Sequence, residues 1–432
     1  MGMPGSGTGN ATQNLWFRMQ AVAASAPINA LLTEQAAMKT IQLREGKERS
    51  LQRRHPWVFE GSVQTGRADA GETVRVQAAD GRFLAWGAYS PSSAIKVRAW
   101  SFDEAERIDA AFFARRVHAA VALRAQLAIH SDGQRLVHGE ADGLPGLIVD
   151  RYGDVLSAQF LSAGMERWRD GVADALMAAT GARCLYERSD TSSRGLEGLA
   201  PRTGWLRGDE SNATEVHITE HGWKLTLDVS TGHKTGYYLD QRDNRALFAH
   251  LVRQHRCQRV LNCFAYTGGF SVAALAGGAS QVISVDSSAP ALERASTHVL
   301  LNGFDAARHM AVVDDVNHFL RKCVFEKREF DAIVLDPPKF APTVAHVERA
   351  ARAYKDINRL ALLLLRPGGL LFTFSCSGGI GADLFHKIVA GAAIDAQADG
   401  AILRRLEGAS DHPTTLTFPE GEYLKGLVIL RS

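Results

Sequence analysis

The chain has 432 residues, enough for two or three domains, each with a core of its own. Its 46% hydrophobic and 22% charged content is ordinary for a soluble globular protein, and a net charge of +2 names no partner by itself. No run approaches the ~20 apolar residues of a membrane span, and five scattered cysteines without a CxxC pair support neither a zinc site nor a disulfide framework, so a reducing, cytoplasmic setting is expected.

Residues 1–38 begin rich in Gly, Ser, Thr and Asn and hold no sustained periodicity, the pattern of a flexible extension. From 39 to 112, short strands over 40–43, 73–76, 83–89 and 95–100 alternate with turns such as Asp80-Gly81 and Ser90-Pro91. That spacing predicts a small β-barrel-like module. Inside it, Arg53, Arg54 and Trp57 set cations beside an aromatic, which suits a phosphate backbone with a stacking platform. The plainer reading is a solvated helix end before a core Trp57-Val58-Phe59.

Residues 113–212 read as a compact α+β unit. A long amphipathic helix is expected over 108–129, and a Gly/Pro loop over 139–146. Strands over 155–161 and 184–188 flank a helix near 165–179. Glu140 and Asp142 lack a partner cluster, so a structural role is expected for them and no metal site is assigned.

Residues 213–432 make the last unit. The stretch 216–229 alternates about His221-Gly222, a β-hairpin signal. It feeds a polar and aromatic stretch, 231–245, that looks like a binding loop. Apolar runs over 259–262, 281–285, 309–313, 330–335 and 370–375 then alternate with helical segments, which argues for a parallel sheet buried on both faces. Near the end, an antiparallel pair is expected within 406–432 around Pro419-Glu420-Gly421.

Ligands of such sheets bind beyond the carboxyl ends of the strands. The first turn carries Gly268-Gly269 but no GxGxxG, so no pyrophosphate cradle is built. Asp286 ends the second strand where a ribose-hydroxyl acceptor belongs, and Asp314-Asp315 ends the third. A ligand with a ribose and an adenine but no phosphate fits: S-adenosylmethionine. Asp336-Pro337-Pro338-Lys339 fixes the backbone after the fourth strand and presents Asp336 at the crevice. Base N-methyltransferases carry a similar Asp-Pro-Pro followed by an aromatic, whereas here Lys339 precedes Phe340.

Cys376 ends the next strand, facing the same crevice. A buried packing role is its plain alternative. C5 of a pyrimidine is a poor nucleophile, but a thiolate added to C6 makes it enamine-like, able to accept a methyl group. A base then removes the C5 proton and the thiol is eliminated. Cys263 is the rival thiol, with packing the expected role. Asp336 is the candidate base, with Asp411 and His412 behind it.

The strings Asn262-Cys263-Phe264-Ala265-Tyr266-Thr267-Gly268-Gly269, Asp336-Pro337-Pro338-Lys339-Phe340, Tyr354-Lys355-Asp356-Ile357-Asn358 and Phe374-Ser375-Cys376-Ser377 are joined by Arg53-Arg54-His55-Pro56-Trp57 and by the loop from His233 to Arg242. Together they resemble the bacterial 23S ribosomal RNA large subunit methyltransferase I family, from about residue 39 to the end. The resemblance implies an N-terminal PUA domain, a middle α+β domain, and a class I methyltransferase domain, an α/β Rossmann-like doubly wound sheet. It implies S-adenosylmethionine-dependent formation of 5-methylcytosine in 23S ribosomal RNA with Cys376 as nucleophile. The cofactor is then expected against Gln241, Asn262, Phe264, Ala265, Tyr266, Thr267, Gly268, Asp286, Ser287, Asn302, Asp314, Asp315, Val316 and Asp336. RNA is expected at Arg53, Arg54, Trp57, Lys339 and Lys355. The partners are 23S ribosomal RNA and, as a candidate, a second copy of the chain, with no membrane. Base N-methylation through Asp336-Pro337-Pro338, and a non-catalytic RNA-binding assembly factor, stay open beside this reading.

Overall fold

A computed structural model of the protein describes residues 38–208, 214–232, 235–340 and 347–432. The expected extension therefore lies outside the described residues except for Met38, as do the boundary expected at 212 and the loop residues His233 and Lys234.

Six strands form the first sheet: β1 (Thr40–Leu43), β2 (Trp57–Phe59), β3 (Val63–Thr65), β4 (Thr73–Gln77), β5 (Phe83–Tyr89) and β6 (Ile95–Ser101), in the order β2-β6-β5-β4-β1-β3. Alternation drives it: Thr-Val-Arg-Val-Gln in β4 turns Val74 and Val76 into a core shared with Ile41, Leu43 and Val97. β2 and β3 are three residues each, too short for a period-2 signal to register.

The second sheet holds β7 (Gly133–His138), β8 (Leu147–Tyr152), β9 (Val155–Phe160), β10 (Cys184–Ser189) and β11 (Arg202–Arg207), in the order β11-β10-β9-β8-β7. Two helices cover one face. Phe112, Phe113 and Val117 of Ala110–Ala125, with Val172, Ala173 and Leu176 of Arg169–Thr180, pack on Val149, Leu156 and Ala158. Asp109 caps the first helix by accepting the Phe112 N–H at 3.0 Å, so the boundary expected at 112 cuts an element of this layer. The single helix expected near 165–179 is two, Ala163–Arg167 and Arg169–Thr180.

A hairpin follows, β12 (Glu215–Glu220) and β13 (Trp223–Asp228). Its turn residues His221 and Gly222 have φ of 51° and 85°, the two positive values a type I′ turn requires. The third sheet has seven strands: β14 (Arg259–Cys263), β15 (Gln281–Asp286), β16 (His309–Val313), β17 (Phe330–Leu335), β18 (Leu365–Ser375), β19 (Gly400–Leu406) and β20 (Lys425–Arg431). Their order is β16-β15-β14-β17-β18-β20-β19. The first five are parallel, and β20 runs antiparallel to both its neighbours, β18 and β19. Both faces are buried: in β17, Ala332 and Val334 join one apolar cluster, Ile333 and Leu335 the other. Strand order reverses between β14 and β17, which opens a crevice beyond their carboxyl ends.

One expectation fails here. The antiparallel pair at the end does not turn at Pro419-Glu420-Gly421, because β20 pairs with the earlier β19. Residues 407–424 connect them, and Pro413 and Pro419 cannot donate to a ladder.

Candidate active site at the carboxyl edge of the sheet

The chain leaves β14 through a sharp loop in which Phe264, Tyr266 and Gly268 take φ of 58°, 46° and 75°. Left-handed non-glycine residues cost on the order of 1 kcal/mol or more and persist only where the surroundings fix them. Here Tyr266 N–H donates to the Asp286 carboxylate at 2.9 Å, Ala265 N–H to the Val285 carbonyl at 3.0 Å, and the Tyr266 hydroxyl to the Gly236 carbonyl at 3.1 Å. The second Asp286 oxygen accepts Ser288 N–H at 2.9 Å, so this carboxylate ties the first loop to the end of β15. At Gly268 a Cβ would sit 2.6 Å from the Ala295 Cβ, which leaves room for no side chain.

Two buried polar groups at this loop have no hydrogen-bond partner among the described residues, Thr267 Oγ1 and the Tyr237 hydroxyl beside Gly269, and neither has Gln241 Nε2 at the head of the helix Arg242–Gln254. Each orphan costs about 1–3 kcal/mol unless a ligand satisfies it. Phe264 and Phe340, with ring centroids 6.4 Å apart, add apolar surface. Orphaned donors, a carboxylate at a strand end, aromatic surface and no phosphate cradle fit S-adenosylmethionine, with Gln241, Thr267 and Asp286 the groups that would hold it.

The reactive edge lies between β17 and β18. Cys376 follows β18, and its thiol lies 3.8 Å from the Pro337 carbonyl, in the Asp336-Pro337-Pro338 turn after β17. Of the five cysteines it alone is not buried. Burial pushes the Cys257 thiol up to about 11 and the Cys263 thiol higher still, and Cys263 packs with Cys323 in the apolar cluster. The rival thiol is thus a core residue.

Three residues to which the sequence assigned no individual role complete this edge. Burial raises the Tyr238 phenol, with Tyr266, Asp336, Asp240 and Cys376 acting in the same direction, and its ring meets that of Tyr266 edge-on at 5.2 Å. The Tyr354 hydroxyl bonds Ser377 Oγ at 3.0 Å, and its ring meets Phe340 at 4.9 Å. Lys425 Nζ donates to the Ser377 carbonyl at 2.9 Å. A Tyr-Tyr pair directly after Gly236 was the available signal for Tyr238; a lysine at the start of a strand offered none.

Several expected site residues are spent elsewhere. Asn262 points into the sheet's packing face, where it donates to Ser271 at 2.9 Å, continued by Ser284 and His309. Asn302 is at the far end of the helix Ala289–Leu301, where it clamps Lys224 of β13 through N–H and C=O, both at 2.8 Å. It is no cofactor ligand. Asp315 caps the helix Val316–Phe325 through His318 N–H, Asp314 accepts from the His318 ring, and Val316 is buried core. These three do stand at the end of β16, beside Asp286 and the exposed Ser287. Lys355 is ion-paired to Asp395 at 2.8 Å, so its charge is answered within the protein.

Trp57 is a joint rather than an open platform: its indole donates to Glu140 at 2.8 Å and its ring meets Phe418 edge-on at 4.8 Å. Arg53, Arg54 and Lys339 are exposed. Arg54 borders a cavity of about 640 Å³ between the first two layers, shared with Arg116 and Thr415. Glu140 and Asp142 are spent on Trp57 and Arg124. Asp411 and His412 are withdrawn from the crevice, buried against Arg242, which forks onto Asp411 at 2.8 and 3.0 Å.

The comparisons agree with this layout. The family model for an S-adenosylmethionine-dependent methyltransferase matches residues 199–419, and that for a PUA-like domain matches 41–102. A Streptococcus mutans chain assigned to the SAM-dependent methyltransferases superposes with a TM-score of 0.77 at 22% identity, covering 90% of this chain and 100% of that one. SMU.776, crystallised with SAH, gives 0.78 at 22% identity, covering 91% and 100%. These two share the fold. Sequence similarity runs much closer to ribosomal RNA large subunit methyltransferase I of Shewanella denitrificans, 50% identical over 393 residues, 90% of this chain and 98% of that protein. The Citrobacter koseri protein of the same name is 49% identical over 388 residues, 89% and 97% of the two chains. Identity of this depth, end to end across the PUA-like sheet and the cofactor crevice alike, makes the chain a member of the ribosomal RNA large subunit methyltransferase I family, dependent on S-adenosylmethionine.

Proposed function

We propose that the protein methylates C5 of a cytosine in 23S ribosomal RNA through a covalent bond from Cys376 to C6. The observation that carries this is Cys376 itself, the one cysteine that is not buried, set against the Asp336-Pro337-Pro338 turn. The names of the relatives support a large-subunit RNA substrate. S-adenosylmethionine, when bound, supplies an electrophilic methyl group on a sulfonium.

The Cys376 thiolate adds to C6, and the C5–C6 electron pair moves so that C5 becomes nucleophilic. Once C5 carries the methyl group, a base removes the C5 proton, the double bond re-forms, and the C6–S bond breaks to return the thiolate. Asp336 is the base of this proposal. Asp411 and His412, the other candidates, are committed to Arg242 and to each other. Tyr238, within the electrostatic reach of Asp336 and Cys376, offers an aromatic face to a base turned out of its stack, a step costing a few kcal/mol. Exposed Arg53, Arg54 and Lys339 supply the phosphate contacts.

Cys376→Ala should abolish methylation while S-adenosylmethionine binding persists, with 5-methylcytidine disappearing from the nucleosides of digested, treated RNA. Methylation near the wild-type rate in that variant would sink the covalent mechanism, and an N-methylated nucleoside would move the reaction to base N-methylation.

A further inference from the structure

The antiparallel β20 brings a residue to the crevice that a wholly parallel sheet could not. Its amino end lies beside the carboxyl end of β18, with Lys425 in register with Ser375. Lys425 is half-buried, and its Nζ donates to the Ser377 carbonyl at 2.9 Å. It therefore brackets Cys376, paired by strand register to the residue before and by hydrogen bond to the residue after. Among the described residues no carboxylate forms an ion pair with it. A half-buried ammonium without a counter-ion is costly, and a thiolate one residue away would supply the missing charge.

The charged and titratable groups here come from several elements. Burial lowers the Lys425 ammonium, an effect that Cys376 and Glu422 on its own segment oppose and that Lys339 after β17 adds to. The Tyr238 and Tyr354 phenols each lie within the influence of Asp336 and Cys376. Lys339 is exposed on a turn. Lys425 is the cation built into the sheet.

We propose that Lys425 is a positioning residue for the nucleophile: its ammonium holds Cys376 as the thiolate and, through the Ser377 carbonyl, fixes the strand end that carries it. This rests on the reading of Cys376 as nucleophile, because only the thiolate adds to C6. The ammonium keeps its proton throughout, so no co-reactant is required.

The test is the pH profile of Cys376 alkylation by iodoacetamide in the full-length folded protein, followed by mass spectrometry of the Cys376 peptide. The other four cysteines are buried. Lys425→Gln should move the midpoint upward by about one pH unit, leaving roughly a tenth of the thiolate near neutrality, and Lys425→Arg should restore most of it. S-adenosylmethionine binding checks that each variant is folded. An unmoved midpoint in folded Lys425→Gln, even with slower methylation, overturns the proposal and leaves Lys425 a packing residue. Cys376→Ser separates the two claims: methylation surviving there overturns the nucleophile and the role of Lys425 with it. Methylation lost there with an unmoved Lys425→Gln midpoint overturns only the role of Lys425.

Discussion

At the scale of single residues, the cofactor loop is held by what it lacks as much as by what it bonds. Gly268 combines φ of 75° with an Ala295 side chain where its own Cβ would be. Gly268→Ala should therefore cost about 1–3 kcal/mol in urea denaturation and weaken S-adenosylmethionine binding in calorimetry. Gly171, inside the helix Arg169–Thr180 with open space around it, is the contrast: Gly171→Ala should stabilise by roughly 0.5–1 kcal/mol. Asp336 is a different case, because the proposed mechanism gives its carboxylate a chemical role, that of the base that takes the C5 proton. Asp336→Asn keeps the shape and removes the base, so kcat should fall by about 10²–10⁴-fold while the melting temperature barely changes. Equal loss from stability and turnover would instead make Asp336 a structural carboxylate.

At the scale of elements, the second and third layers are locked by buried ions. Asp411, wholly buried, accepts from both arms of Arg242 and from the backbone of Arg135, while its own carbonyl takes Arg124, which also forks onto Asp142. Removing that carboxylate strands the buried Arg242 guanidinium and the Arg135 backbone N–H, so Asp411→Ala should cost about 3–5 kcal/mol. Burial would raise the Asp411 carboxyl, but hydrogen bonds from His412 and Arg242 hold it well below the usual carboxylate range. Its stabilisation is complete above about pH 4 and lost as pH falls towards its folded value. Burial lowers His412 and His298, which stay neutral in the fold, whereas unfolded imidazole takes a proton below about pH 6.5. Stability should thus fall from near pH 6.5 downward by about 1.4 kcal/mol per pH unit per histidine, and denaturation midpoints for His412→Gln should fall less steeply.

These elements were legible in the sequence to unequal degrees. Strands β14, β15 and β17 announce themselves as apolar runs, because burial on both faces leaves no alternation to misread. The Asp411 network did not, since its members are separated by as many as 287 positions and no local period links Arg124 to Asp411. Asn302 was misplaced for a related reason: a polar residue closing a helix looks the same at either end of the sheet. Lys425 escaped because the carboxyl-end rule has no place for a strand that enters the crevice at its start. Cys376 was singled out by position alone, and burial then separated it from four other thiols.

At the scale of the whole molecule, Trp57 decides how the RNA-facing sheet is attached to the crevice. Its indole reaches Glu140 in the second layer, and its ring meets Phe418 in the third, with His55 bonded to Glu420 at 3.2 Å beside it. On the proposed function, a substrate gripped near Arg53 and Arg54 would be presented to Cys376 across a fixed joint. Grip and joint can be told apart by salt. Every cation withdrawn from a phosphate should flatten the log–log dependence of RNA affinity on salt by about 0.7–0.9, so Arg53→Gln with Arg54→Gln should reduce that slope by roughly 1.4–1.8. Trp57→Ala removes no charge, and the slope should stay as it is. What should change is methylation of a bound RNA under saturating conditions, because loosening the joint misplaces the target by an ångström or more, enough to cost on the order of 10²-fold. A flattened slope in Trp57→Ala would place the indole on the RNA; unchanged turnover with an unchanged slope would mean the two ends of the molecule engage their substrate independently.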